Sequence, residues 1–322
     1  MVLKKGEALL HLFLYYSSMN DIRWPQFLKA GDRVALVATA RHANQEDIQK
    51  GVTHLESWGL EVVQADNLYE KHFIFAGTES ARRKALQKAI DDPTIKAIFC
   101  MRGGNGTHRL IDFIHLKNLK KHPKWIIGYS DVTVLLNHVA QYRIPSIHGP
   151  MPLSMHRDNE QEGALALRKV LFGELPSYTF PTHSLNQLGR AEGKLIGGNL
   201  AVLHSLISTP SDITWKNKIL FIEEVDEYVY HLDRMLYHFS RTGRMNGLAG
   251  LVVGHLSIKD NAEPFGLSAQ EVIARVVKPY KIPLAFSFPA GHELPNMPLL
   301  IGAPVRLEVT AQHSYLTFKN NL

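Results

Sequence analysis

Short apolar runs alternate with amphipathic segments through the first half of the chain. Runs such as RVALVA (33–38) and IKAIFCM (95–101) have the length and the β-branched content of buried strands. After the first run, apolar side chains recur at helical spacing at Ile48, Val52 and Leu55. In chain order, the pattern predicts strands at 33–38, 60–65, 95–101, 124–130 and 146–151, and helices ending near 59 and at 79–92, 107–116 and 131–141.

Strands that alternate with helices in this way predict a parallel sheet with helices on both faces. Ligands of such sheets gather beyond the carboxyl ends of the strands. The sequences RGGNG (102–106), GYSD (128–131) and HGPM (148–151) all fall at those ends. We therefore expect the functional site at this edge of the sheet.

The regular alternation of apolar runs stops between residues 158 and 190, where polar residues, Pro and Gly are interspersed. We interpret 161–190 as a linker that contains one short helix, GALALRKVLFG (163–173). Apolar runs such as KILFIEEV (218–225) then alternate again with amphipathic segments, which predicts a second α/β domain with a mixed sheet. The predicted organisation is an N-terminal extension at 1–18, a first domain at 19–160, the linker, and a second domain at 191–322.

Composition limits the classes of protein that remain. The 322 residues, of which 45% are hydrophobic and 20% charged, suit two globular cores. Cys100 is the single cysteine, which excludes a disulfide-stapled fold; we interpret it as a small core residue, with a nucleophile as the alternative. The formal charge of +6 is spread along the chain and favours acidic small ligands over nucleic acid.

The N-terminal residues resemble a weak signal peptide without completing the pattern. Residues 1–18 have a basic start and a short apolar stretch, but Glu7 and His11 interrupt it and no A-x-A cleavage site follows. We interpret this segment as an upstream extension, with export as the alternative. No run of 18 apolar residues occurs, so we expect no membrane span.

Ser130 lies where a predicted strand turns directly into a predicted helix. Such a turn exposes the serine hydroxyl and places unpaired N–H groups beside it, including that of Asp131. These donors can stabilise an oxyanion. The strict G-x-S-x-G pattern is not met, because position 132 is Val. Ser130 therefore has two readings, as a nucleophile or as a helix N-cap.

The loop RGGNG (102–106) is a second candidate for the site. Its glycines permit positive φ angles and close backbone approach, so the loop can direct N–H groups at a phosphate or an oxyanion. It lacks the Lys-Ser/Thr of a Walker loop and the spacing of a dinucleotide site. An ordinary tight turn is the alternative.

Two carboxylates, Glu223 and Glu224, end a predicted buried strand. Buried strands avoid charge unless it is paired, and neighbouring side chains point to opposite faces. One of these carboxylates can orient a histidine; a structural ion pair, for instance with Arg234, is the alternative. His292, which follows the predicted strand FSF and a Gly turn, is the main candidate histidine, and the others are His148, His204 and His231.

No H-E-x-x-H motif and no Cys/His cluster occurs, so we expect no metal and no other cofactor. The combined candidates describe a nucleophile, oxyanion donors, an acid and a base in the order Ser…Glu…His. Such a triad requires the two predicted domains to face each other.

Several stretches carry a pattern that is specific when they are taken together. They are GDRVALVATA, FAGTE, MRGGNGTHRLID, IIGYSDVTVLL, IHGPM, EGKLIGGNLAVLHSLISTP, ILFIEEVDEYVYHLDRML and AGHELPNMPLLIGA. Over about residues 30–310, the chain resembles the LD-carboxypeptidases, also called muramoyltetrapeptide carboxypeptidases, and the related microcin C immunity peptidases. The most specific stretch is GGNLAVLHSLISTP followed by ILFIEE.

The resemblance implies an α/β fold, with an N-terminal flavodoxin-like parallel-sheet domain and a C-terminal mixed-sheet, swivelling-type β/α domain. It also implies a serine peptidase and a homodimer. In this sequence, the nucleophile would be Ser130, the acid Glu223 and the base His292. The oxyanion donors would be the backbone amides of Gly104 and Asp131.

The resemblance further implies a murein tetrapeptide substrate, L-Ala-D-Glu-meso-diaminopimelate-D-Ala, from which D-Ala is released in cytoplasmic cell-wall recycling. Arg102 is the candidate partner for the terminal carboxylate, with a surface or structural ion pair as the alternative. Two other functions stay open: hydrolysis of a peptidyl- or aminoacyl-nucleotide antibiotic, and non-catalytic binding of a small ligand. No nucleic-acid or membrane partner is expected.

Overall fold

The computed structural model describes residues 22–259 and 263–319, and the predicted extension at 1–18 lies outside them. The strands are β1 Arg33–Val37, β2 Glu61–Gln64, β3 Ile95–Cys100, β4 Trp125–Gly128, β5 Ser146–His148, β6 Ser177–Pro181, β7 Gly189–Asn199, β8 Lys218–Tyr228, β9 Gly250–Lys259, β10 Leu284–Ala285, β11 Leu299–Ile301, β12 Pro304–Val309 and β13 His313–Phe318. The α-helices are α1 Gln45–Glu56, α2 Glu79–Asp91, α3 Lys117–Lys121, α4 Thr133–Ala140, α5 Pro152–Met155, α6 Gln161–Leu171, α7 Leu200–Ser205, α8 Val229–Arg241 and α9 Ala269–Val277.

Helices begin where the sequence supplies caps and an apolar face. The Asn44 side chain accepts a hydrogen bond from the backbone of Asp47 at the start of α1, and Ile48, Val52 and Leu55 form its buried face. The same physics forms α9, where Ser268 and Glu271 make a capping box, and its apolar side chains pack into a core.

The first sheet has six strands in the order β11-β5-β4-β3-β1-β2. Strands β1 to β5 are parallel and follow the flavodoxin-like order 2-1-3-4-5. The strand order reverses between β1 and β3, which pair directly, so this is the topological switch point of the sheet. The β11 strand, from the C-terminal part of the chain, adds antiparallel to β5.

The second sheet has seven strands in the order β10-β9-β8-β7-β12-β13-β6. Strands β7 to β10 are parallel, and β12, β13 and β6 continue the sheet antiparallel. The mixed sheet and the α/β architecture confirm the predicted fold class.

Two hydrophobic cores share the second sheet. One face of the sheet, including Ile219 and Phe221, belongs to a core that continues through the first sheet and its helices. The opposite face, including Leu220 and Ile222, packs with α7, α8 and α9 in a second core. Because side chains alternate along a strand, each β8 residue faces either the first domain or these helices.

Three local predictions differ from the structure. Residues 107–116 form two 3₁₀ turns, Thr107–Arg109 and Ile111–Phe113, instead of one α-helix. The segment 161–190, predicted as a linker with one helix, contains α6 and also β6, the edge strand of the second sheet. The sequence FSF (286–288) is not a strand, since β10 ends at Ala285. The domain boundaries stay a prediction.

Candidate active site

Ser130 sits in a tight turn at the carboxyl end of β4. The strand ends at Gly128, a 3₁₀ turn covers Ser130–Val132, and α4 follows immediately. Ser130 has a φ of 62°, in the left-handed region that L-residues rarely adopt. Its side chain makes no capping hydrogen bond to the 3₁₀ turn or to α4. The N-cap reading of Ser130 is therefore wrong.

The RGGNG loop packs directly against this turn. A Cβ atom placed on Gly103 would lie 3.0 Å from the Ser130 Cβ and 3.3 Å from its Oγ. A larger residue here would push the loop or the serine away by a few tenths of an ångström. The loop therefore lies directly beside Ser130.

Asp131 ties the far end of the loop to the serine turn. Its buried carboxylate accepts hydrogen bonds from the Thr107 amide at 2.9 Å and the Gly106 amide at 3.3 Å. The backbone amides of Gly104 and Asp131 donate no hydrogen bond to any other residue within 22–259 and 263–319. An oxyanion needs donors that are not already engaged in this way.

Side chains alternate between the two faces along β8, so Glu223 and Glu224 point to opposite sides of the sheet. Glu223 continues the face of Ile219 and Phe221 toward the first domain and is fully buried. Glu224 points to the other side, where the Asn199 side chain and the Ala201 amide donate to it at 2.8 and 2.7 Å. The pairing of β8 with β9 shifts register between Ile222 and Glu224, which is an irregularity often found beside active sites.

Glu223 is the partner of His292. The imidazole Nδ1 lies 2.7 Å from Glu223 Oε2, so the other ring nitrogen, Nε2, faces away from the carboxylate. Burial by itself lowers the pKa of His292, but the hydrogen bond and the charge of Glu223 outweigh it, and the pKa is raised above 6.5. The Tyr129 ring, directly before Ser130, meets the His292 ring edge-on at 5.0 Å between centroids.

The loop that carries His292 is fixed from within. The Gly291 amide donates to the Asn296 side-chain oxygen at 3.1 Å. Arg234, considered as the ion-pair partner of the glutamates, instead stacks on Tyr230. That ion-pair alternative is wrong.

The other candidate side chains have different environments. Burial lowers the pKa of His148 to about 3, and neither ring nitrogen has a hydrogen-bond partner among the residues described. His204 bonds to His238, and His231 bonds to Glu227. Burial raises the pKa of Cys100 to about 12, so the thiol stays protonated and the core reading of this residue is confirmed.

Arg102 is half-buried at the end of β3. Its Nη1 donates to the His42 carbonyl at 3.1 Å, and its buried Nε has no acceptor in the described part of the chain. Burial, and then the nearby Arg41, lower the pKa of Arg102. It forms none of the ion pairs found among the described residues, so the structural ion-pair alternative is wrong.

A polar clamp, which sequence reasoning missed, joins the helix behind Ser130 to the second sheet. The Asn137 side chain accepts from the Gly197 amide at 3.1 Å and donates to the Gly197 carbonyl at 2.8 Å. The Thr133 hydroxyl accepts from the Asn199 amide at 3.1 Å. Asn199 on β7 pairs with Glu223 on β8, so the clamp connects the helix that follows Ser130 to the neighbourhood of Glu223. Polar Thr133 and Asn137, one helical turn apart in the apolar run TVLLNHVA, were the available signal.

Two structural features are absent from residues 22–259 and 263–319. None of their helices combines the length and the apolar character needed to cross a bilayer. They hold no group of three or more His, Cys, Asp or Glu side chains suited to a metal ion.

Comparison with known proteins identifies the family of the chain. A family model described as the LD-carboxypeptidase N-terminal domain matches residues 34–149, and one described as the LD-carboxypeptidase C-terminal domain matches residues 192–307. A probable murein peptide carboxypeptidase of Bacillus subtilis is 34% identical over 286 residues, 87% of this chain and 89% of the relative. A murein tetrapeptide carboxypeptidase of Pseudomonas aeruginosa is 29% identical over 86% of this chain and 93% of the relative.

Solved structures share the architecture. The muramoyltetrapeptide carboxypeptidase from Oxalobacter formigenes superposes with a TM-score of 0.81 at 26% identity, over 89% of this chain and 99% of that one. The microcin C7 self-immunity protein MccF has the same TM-score at 21% identity, over 92% and 98% of the two chains, which shows a common fold alone. From both domain matches and the 34% identical relative, the chain belongs to the LD-carboxypeptidase family and is a serine-type carboxypeptidase.

Proposed function

We propose that this protein releases the C-terminal D-alanine of murein tetrapeptides with Ser130, Glu223 and His292 as its catalytic triad. The observation that carries the proposal is the 2.7 Å hydrogen bond between His292 and buried Glu223, beside the left-handed turn of Ser130. This arrangement provides a base, the group that orients it, and a hydroxyl at a half-buried turn.

The reaction begins with proton transfer. His292 Nε2 accepts the Ser130 proton while Oγ attacks the carbonyl carbon of the L-configured centre before D-alanine. Glu223 holds the imidazole in the tautomer with the proton on Nδ1 and stabilises the imidazolium that forms. The raised pKa of His292 favours this proton transfer.

The tetrahedral intermediate carries a negative oxygen that the amides of Gly104 and Asp131 bind. A single donor of this kind contributes about 3 kcal/mol to transition-state stabilisation. His292 then gives its proton to the leaving nitrogen, the carbon–nitrogen bond breaks, and D-alanine departs. Water hydrolyses the acyl-Ser130 intermediate by the same steps and restores the free serine.

Relatives at this level of identity support the substrate class. The matches named murein peptide and murein tetrapeptide carboxypeptidases cover 87% and 86% of the chain. The formal charge of +6 suits a substrate with several carboxylates.

Mass spectrometry of a substrate panel tests the proposal. Wild-type protein is incubated with murein tripeptide, murein tetrapeptide and a peptidyl-nucleotide of the microcin C type. We expect loss of one D-alanine from the tetrapeptide and no change in the other two. Cleavage of the peptidyl-nucleotide alone would support the immunity reaction, and binding without any cleavage would support a small-ligand receptor; either result contradicts the proposal.

We also propose that the enzyme works in the cytoplasm as a homodimer, in the recycling of cell-wall fragments. The support is the family resemblance stated from the sequence. Light scattering of the purified protein should give twice the 36.3 kDa chain mass, and cell fractionation should place it with cytoplasmic markers. A monomeric mass would contradict the homodimer, and recovery outside the cytoplasmic fraction would contradict the cytoplasmic location.

A further inference from the structure

Two arginines lie together at the topological switch point of the first sheet. Arg41 follows β1 and Arg102 follows β3, and these two strands pair directly. In doubly wound sheets, ligands bind in the crevice outside the strand ends at this point. The position of the two guanidinium groups is therefore that of a ligand contact.

Arg41 lies against the loop that borders the nucleophile. A Cβ atom on Gly104 would fall 2.6 Å from Arg41 Cδ and 3.1 Å from its Nε, so the arginine side chain crosses directly over that residue. Gly103, the preceding residue, is the one in close approach to Ser130. Arg41 therefore lies against the loop residue next to the one that meets the serine.

The two positive charges have no carboxylate partner. Neither Arg41 nor Arg102 takes part in an ion pair among residues 22–259 and 263–319. Asp47, the acidic residue that acts on Arg102, is held by a 2.8 Å hydrogen bond from Asn44. Like charges held together without a counterion favour the binding of an anion.

The length of one amino acid limits where the terminal carboxylate of the substrate can lie. In a carboxypeptidase substrate, the terminal carboxylate lies one residue beyond the scissile carbonyl, roughly 4 Å from the reacting carbon. The proposed oxyanion amide belongs to Gly104, and Arg41 crosses the same residue. A guanidinium at this place can meet a carboxylate that ends the chain immediately after the cleaved bond.

We propose that Arg41, assisted by Arg102, binds the C-terminal carboxylate of the leaving D-amino acid and so restricts the enzyme to the last peptide bond. The inference rests on the proposed function, because it needs Ser130 as the reacting group. The two arginines differ in role. Arg102 is fixed by its bond to the His42 carbonyl, whereas the exposed Arg41 guanidinium makes no hydrogen bond to residues 22–259 and 263–319.

A comparison of two substrates tests the inference. The tetrapeptide with a free C-terminal acid and the same peptide with a C-terminal carboxamide are assayed with wild-type, Arg41→Gln and Arg41→Lys proteins. We expect Arg41→Gln to lower kcat/KM for the acid by roughly 10- to 100-fold, as for loss of a charge-assisted hydrogen bond, and to leave the amide unchanged. Arg41→Lys should restore part of the loss. Arg168→Gln, an exposed arginine on α6 that stacks on Phe172, is the matched control and should change neither rate.

Binding measurements separate this inference from the proposed function. In Ser130→Ala protein, calorimetry should show that the acid binds at least about tenfold more tightly than the amide, and Arg41→Gln should abolish this preference. If wild-type protein releases no D-alanine, the proposed function fails, while the binding preference still decides the role of Arg41. An equal loss for acid and amide, or a preference that survives Arg41→Gln, would overturn the inference.

Discussion

Ser130 occupies a backbone conformation that is unfavourable for its residue type. A φ of 62° costs an L-residue roughly 1–2 kcal/mol relative to the right-handed region. The surrounding contacts, including the close packing of Gly103 on the serine, hold it there. Strain of this kind is concentrated at functional sites, where it keeps a reactive group in place.

The substitution Gly103→Ala tests the importance of this contact. The new Cβ would meet Ser130 Cβ at 3.0 Å and the Tyr129 carbonyl at 3.3 Å, so the loop or the serine must shift by a few tenths of an ångström. We expect kcat to fall about tenfold or more while the melting temperature changes by only a few degrees. Steady-state kinetics and thermal unfolding measure the two effects. Unchanged kinetics would show that the turn tolerates displacement.

The charge of Glu223 should control the pH dependence. Glu223 holds the pKa of His292 above 6.5, and below that pKa the imidazole is protonated and cannot accept the serine proton. Activity should therefore fall as pH drops through the raised pKa. Glu223→Gln removes the charge while burial remains, so the acid limb of kcat/KM should move to lower pH, with a rate loss of roughly 10³- to 10⁴-fold. An acid limb that stays in place would exclude this pairing as its origin.

Local pattern placed Ser130 between a strand and a helix but left the choice between the two glutamates open. GYSD marks a serine between a strand and a helix, and this position follows from local pattern alone. Either glutamate of IEE could face the first domain, because the phase of β8 depends on which neighbours cover each face. The hydrogen bond of Glu223 to a histidine 69 residues later is likewise a product of tertiary structure.

At the scale of elements, α4 is held to the second sheet by the clamp of Thr133 and Asn137. The two side chains provide hydrogen-bond partners for backbone groups of Gly197 and Asn199 near the end of β7. Glu224 supports the same corner by accepting from Asn199 and Ala201, although burial raises its pKa to about 7. The clamp positions the serine turn relative to the strand of Glu223.

Thr133→Val should weaken the clamp while keeping the size of the side chain at this position. Valine has the size of threonine but no acceptor, so the buried Asn199 amide loses its partner. We expect a loss of about 1–3 kcal/mol in the free energy of unfolding, together with a lower kcat/KM. Urea denaturation measures the first quantity. Thr53→Val, at an exposed position of α1, is the control, and an equal response of both variants would contradict a specific role for the clamp.

Local pattern located most helices and strands but missed elements defined by partners. The strand β6 lies in a polar segment and exists because it pairs with β13 at the sheet edge. The segment 107–116 has helical spacing, yet it begins with a 3₁₀ turn. At the start of that turn, the Asp131 carboxylate accepts hydrogen bonds from the amides of Gly106 and Thr107. Neither partner is visible in a short window of sequence.

At the scale of the whole molecule, the two sheets are interlocked. The first sheet is completed by β11, which comes after most of the second sheet in the chain. Its residues Leu299, Leu300 and Ile301 are fully buried. The resemblance predicted both sheets, but a strand that crosses from one half to the other could not be inferred from the order of elements.

A fragment of residues 19–190 should therefore fail to fold stably. It lacks β11, whose three buried side chains contribute about 5–9 kcal/mol, an amount comparable with the total stability of a domain. Circular dichroism during heating should show no cooperative transition, in contrast to the full chain. A cooperative transition near that of the full chain would show that the first sheet is complete without β11.

The central claim is that the Ser130 hydroxyl is the nucleophile for release of D-alanine. The most direct test is the rate of D-alanine release from murein tetrapeptide by Ser130→Ala, beside Ser208→Ala, an exposed serine with a similar φ of 63°. We predict a loss of at least about 10⁴-fold in kcat/KM for Ser130→Ala and no change for Ser208→Ala. Release of D-alanine by Ser130→Ala at a rate near that of the wild type would contradict the account.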